Sequence, residues 1–136
     1  RQGRDWEAEQ YRETHQPVIL WLEGFLTHIE PGYEWRKRWC GPRGVALFVN
    51  PTGETKTITR TFRLYTEFKE PSTLTIKGGD IWSETLVIDR NSPSITRTFT
   101  LPPGRHRIGF DCVPPATHIP NEHRRLMFLI SGLRFE

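Results

Sequence analysis

From residue 17 onward the chain alternates between apolar and polar side chains with a period of two, and turn residues interrupt it about every ten positions. That pattern predicts strands over 17–25, 34–40, 45–50, 55–68, 73–78, 81–89, 94–101, 105–112 and 124–136. Between them lie Gly41-Pro42-Arg43-Gly44, NPTGE, KEPS, GGD, RNSP and PPG, all turn chemistry. No long amphipathic helical pattern competes. Short strands at this spacing predict an all-β fold: a two-layer antiparallel β-sandwich, jelly-roll-like, of about eight or nine strands. The alternation places Ile19, Leu47, Val49, Ile58, Phe62, Leu64, Leu86, Ile88, Phe99, Ile108, Phe110, Phe128 and Ile130 in the core.

Residues 1–16 read differently. Asp5 suits a helix N-cap, Glu7 and Glu9 sit where the helix dipole favours acids, and Pro17 ends the segment. A short N-terminal helix is expected there, as a lead-in or linker, with 17–136 forming the sandwich domain. The only methionine is Met127, so the expectation is a domain of a larger protein, with the parent's other domains upstream.

The pentad ITRTF occurs twice, at 58–62 and 95–99. In each copy isoleucine and phenylalanine fall on one face with an arginine between them, and threonines fall on the other. The surroundings match as well, as two three-strand meanders at about 45–77 and 84–112. Either half-buried strands have converged on the same residues or an old duplication survives. On either reading, one meander is expected to contribute mainly to each sheet.

Composition narrows the class. With 35% hydrophobic and 12% aromatic residues, the chain is too aromatic for disorder and too polar for membrane spans, so no direct membrane insertion is expected. A net charge of +3 is mild, and its clusters (36–38, 105–107, 124–125) are dispersed, so no nucleic-acid partner is expected. Cys40 and Cys112 each end a strand-like run, which leaves a cross-sheet bridge and two buried thiols equally open.

Catalytic chemistry is poorly represented. His118 and His123 share the long loop 113–123, without the further ligands zinc requires. There is no nucleophile elbow, and Gly78-Gly79 opens no helix. Acid pairs such as Glu23 with Glu30, or Glu84 with Asp89, do not stand out from surface acids. No enzyme, cofactor or metal site is expected. Asp111 is expected to pin the long loop by pairing with Arg124 or Arg125.

Aromatic recognition is better represented. The stretch PGYEWRKRWCG brings Tyr33, Trp35 and Trp39 together with Arg36 and Arg38, and on a strand Trp35 and Trp39 share one face. Indoles with cations nearby can stack on sugar rings. Tryptophan is equally suited to filling a core or capping a sheet edge. Trp82, close behind Gly78-Gly79-Asp80, is the next candidate.

The succession WLEGF, Trp35-Arg36, FVNPT, LPPGRH and RRLMF, with PGRHRIGFDC as a late hairpin, resembles carbohydrate-binding-module-like β-sandwiches over about residues 17–136. It is similar to the C-terminal accessory sandwich of some bacterial membrane-associated glycosyltransferases and related cell-envelope enzymes. The resemblance implies a non-catalytic jelly-roll domain beside a transferase in a membrane-associated parent, with a glycan or acidic polysaccharide as ligand. The alternative is a structural or protein-docking sandwich with no glycan ligand. Calcium is common in such modules, but no dense acidic loop marks a site here.

Overall fold

The computed structural model describes residues 16–25, 38–113 and 127–135. Among them there is no helix and there are nine strands. These are β1 (Val18–Trp21), β2 (Arg38–Cys40), β3 (Arg43–Asn50), β4 (Lys56–Tyr65), β5 (Ser72–Gly78), β6 (Trp82–Ile88), β7 (Ser94–Leu101), β8 (Gly104–Val113) and β9 (Phe128–Ser131). The expected N-terminal helix lies outside the described residues, apart from Gln16, which sits in a bend.

The strands form two antiparallel sheets. The first has the order β1-β3-β8-β5-β6 and the second β2-β9-β4-β7. Their inner faces share one aromatic core. Phe48 of the first sheet meets Phe99 of the second edge-to-face at 5.4 Å, and Trp82 meets Phe62 and Phe99 at 5.4 and 5.3 Å. Phe135, after β9, closes on Phe48 at 4.9 Å.

Alternation predicted most of this interior. Ile58, Phe62, Leu64, Phe99, Ile108, Phe110, Phe128 and Ile130 all point inward. It misplaced β3, whose run VALFVN is apolar at every position but the last. Ala46 and Phe48 face the core, while Leu47 and Val49 are only half-buried on the other face. A one-residue shift exchanges the faces of a strand, and here composition gave nothing to choose between them. Leu86 is likewise half-buried, packed against the core from its rim.

The two ITRTF strands lie side by side. In the β4–β7 pair Ile58 faces Phe99, Thr59 faces Thr98, Arg60 faces Arg97, Thr61 faces Thr96 and Phe62 faces Ile95. The pentad therefore pairs with its own copy, antiparallel, about a centre at the two arginines. Each arginine also donates from Nη1 to the carbonyl of the preceding threonine, at 2.8 and 2.9 Å.

The expected one-meander-per-sheet arrangement is incorrect. β3 and β5 lie in the first sheet and β4 in the second; β6 and β8 lie in the first and β7 in the second. Exchanging β3 with β6, β4 with β7 and β5 with β8 leaves the pairings among these six strands unchanged, while β1 and β9 have no counterparts among the described residues. A three-strand unit folded against its own copy gives this arrangement, so the likeness extends from sequence to topology.

The turns are held by satisfied polar groups. Buried Asn50 donates from Nδ2 to the carbonyls of Glu54 and Leu101, both at 2.8 Å, and its Oδ1 accepts from the Thr52 backbone and hydroxyl. This ties the β3–β4 turn to the end of β7, as a buried amide requires. After β1, Gly24 has φ 84°, and a Cβ there would run into the Arg43 carbonyl. Only glycine fits both constraints.

Candidate binding face

The outer face of the second sheet brings aromatic, cationic and hydroxyl side chains into one succession of rows among the described residues. On β9, Phe128 and Ile130 belong to the core, so Leu129 between them points to the opposite face. Leu129 is the register partner of Trp39 on one side and of Tyr65 on the other. Two half-buried aromatic residues thus flank Leu129, which is itself fully buried, across three strands. At about 4.8 Å per strand, their backbones lie about 10 Å apart.

The next row down the sheet is Ser131, Arg63 and Ser94. The Arg63 guanidinium lies 3.8 Å from the Tyr65 ring centroid. It is fixed by donating to the carbonyls of Ser92 and Arg90, both at 2.6 Å, in the β6–β7 turn. Beyond it come three rows of threonine: Thr61 with Thr96, Thr59 with Thr98, and Thr57 with Thr100. All six are exposed, and the hydroxyls of the first two rows bond each other at 2.8 Å. From Tyr65 to Thr57 the face runs about 27 Å, with an aromatic end, one cation and a hydroxyl ladder.

Of the six residues expected to bind a ligand, the three that are described, Arg38, Trp39 and Trp82, do not come together in one site. Tyr33, Trp35 and Arg36 lie outside the described residues. Trp39 is half-buried on the outer face. Arg38 and Cys40 point the other way, and the Arg38 guanidinium sits 5.4 Å from the centroid of Trp21, at the edge where β1 and β2 end the two sheets. Arg38 therefore does not share a face with Trp39. Trp82 is 5% exposed, with Phe48, Phe62, Phe99 and Phe110 around its ring. It is a core residue with no ring face left for a ligand. Its indole Nε1 donates to Glu84 Oε2 at 2.6 Å.

Glu84 is occupied structurally as well. Arg97 donates to both its oxygens, each at 2.8 Å, which joins β7 of the second sheet to β6 of the first. The Arg97 bonds, helped by the Trp82 bond, hold the Glu84 carboxyl below its ordinary pKa, against a smaller opposing effect of burial. Asp89 accepts from the Asn91 backbone and shapes the β6–β7 turn. His106, the one described histidine, lies 2.8 Å from the Pro102 carbonyl. Among the described residues no three His, Cys, Asp or Glu side chains converge as a metal site would require.

Asp111 pairs with Lys77 at 2.6 Å and, more loosely, with Arg43 at 3.9 Å. Its expected partners Arg124 and Arg125, with His118 and His123, lie outside the described residues. Cys40 and Cys112 are both free and buried. Burial pushes the Cys112 thiol up to about 12; burial, with Cys112 beside it, pushes Cys40 up as well.

Sequence reasoning missed Tyr65 and the threonine ladder as parts of one face. The two threonine triplets were visible as the polar side of each pentad, but nothing in the sequence showed that the strands carrying them are neighbours. No protein-family model matches the chain, and no curated protein or solved structure matches it either.

Proposed function

We propose that this chain is a non-catalytic carbohydrate-binding domain that holds a glycan along the outer face of the second sheet. The observation that carries the reading is the ladder of exposed threonines, which runs on from half-buried Tyr65 with half-buried Trp39 two strands away. Sugar rings present apolar C–H faces and equatorial hydroxyls. Aromatic side chains match the first and threonine hydroxyls the second. Arg63 is the one charge among the described outward residues of this face, so an acidic substituent near Tyr65 is favoured.

The architecture belongs to the same proposal. We read the order β3-β8-β5-β6 over β4-β7 as that of a jelly roll lacking one hairpin. Such domains serve as accessories to larger enzymes. With the resemblance described above, we assign the chain to a bacterial cell-envelope enzyme, a glycosyltransferase, as a module that retains polymer near the catalytic part.

Protein docking is the second reading, and a separate surface favours it. At the β1 edge of the first sheet Leu20 and Leu22 are 44% and 39% exposed, beside half-buried Val18, Leu47 and Val49. A glycan array probed with the chain, including acidic cell-envelope polysaccharides, separates the two. The carbohydrate reading requires binding that Tyr65→Ala weakens about tenfold and Leu20→Ser leaves intact. An array with no binding at all would leave the docking reading standing alone.

A further inference from the structure

The edge of the second sheet carries an inference independent of any glycan. β7 is the last strand of that sheet, and among the described residues no strand pairs with its outer edge. At eight residues it is longer than the other edge strands, β1, β2 and β6. It has no proline, lysine or bulge to blunt it, and its one charge, the inward-pointing Arg97, is neutralised within the same chain. Its arginine is turned away to Glu84 on β6.

The sequence on this edge is one the molecule already pairs with itself. ITRTF on β4 binds ITRTF on β7, with threonine facing threonine and arginine facing arginine. We propose that the occupant of the open edge is a second copy of this chain, whose β7 adds antiparallel in the register of the β4–β7 pair. Ile95 then faces Phe99 of the other copy, Thr96 faces Thr98, and the two Arg97 residues meet on a two-fold axis. Facing arginines are tolerated between β4 and β7 because each is compensated, Arg60 by the carbonyls of Arg134 and Phe135 and Arg97 by Glu84. Across the new junction both carry Glu84. The contact is isologous and closed, so it uses up the edge in both copies and stops at a dimer. It also joins two threonine ladders into one continuous face.

The test is sedimentation equilibrium of the full chain over a concentration series from low micromolar to millimolar. The mass should rise from 16.0 kDa toward twice that value. Thr96→Lys/Thr98→Lys places lysine opposite lysine twice across the junction. It should weaken association about tenfold, since like charges directly opposite destabilise a strand pair. Thr59→Lys/Thr61→Lys puts the same charge on the same face one strand inward and should leave association unchanged. Hydrogen exchange on the wild type should show β7 amides gaining protection with concentration, while β1 and β6 do not, so the proposal can be judged even if the edge variant fails to fold. A chain that stays monomeric at millimolar concentration overturns the proposal. So does association that the edge variant leaves intact, that the inner variant weakens equally, or that protects another edge.

Discussion

Replacing Trp82 should show whether the interior depends on one indole. Trp82 is 5% exposed and has four phenylalanine rings within 6.3 Å, three of them edge-to-face. Truncating a buried tryptophan to alanine costs about 3–5 kcal/mol. The edge-to-face contacts and the lost Glu84 bond place Trp82→Ala near the top of that range, about 4–5 kcal/mol. For a chain of 136 residues this is a fall in melting temperature of roughly 14–18 °C. Trp82→Phe keeps a ring in the site but loses the N–H donated to Glu84, for a cost of about 1.5–2.5 kcal/mol. Both values can be read from urea denaturation followed by circular dichroism. A Trp82→Phe/Glu84→Gln pair should fall short of the sum of the singles, because both remove the same bond. If Trp82→Ala melts within about 1 kcal/mol of the wild type, the indole is not packed between the sheets and this account of the core is wrong.

Two further outcomes follow from the buried polar chemistry. Glu84 has a lowered folded-state pKa, so its contribution is complete above its unfolded value near 4.5 and is lost as pH falls through the lower folded value. Glu84→Gln should therefore cost about 1–2 kcal/mol at neutral pH, and the gap to wild type should close in acid; a gap that widens below that range contradicts the assignment. Cys40 and Cys112 are buried with raised pKa values, so a chromogenic disulfide reagent at pH 8 should react only as fast as the domain unfolds; rapid labelling of the native protein would place a thiol at the surface.

Where a strand is apolar on one side only, its sequence was enough to orient it. Ile58, Phe62 and Leu64 on β4, and Phe99 and Leu101 on β7, point inward because threonine takes the other side. On β3 both sides are apolar, and the true inward residues, Ala46 and Phe48, are settled by the strands beside it. The ITRTF likeness was plain, yet its meaning needed topology, since neither pentad states which strand it will pair with. Trp82 illustrates the same limit. A tryptophan beside a glycine turn suits a loop platform or a core equally well, and four converging phenylalanines decide it. Alternation set Trp39 on the face opposite Arg38 and Cys40 without telling which face is outward, and Tyr65 acquires its place only because β9 lies between β2 and β4.

The most direct test of the proposed binding face is calorimetric titration of wild type and Trp39→Ala with the tightest glycan found on the array, after both have been melted. Aromatic stacking is worth about 1–3 kcal/mol in nucleic-acid cases, and a sugar should lie near the low end. The account predicts binding about tenfold weaker for Trp39→Ala, with stability within about 1 kcal/mol of wild type because the indole lies outside the core. Wild-type affinity in a folded Trp39→Ala protein would contradict it.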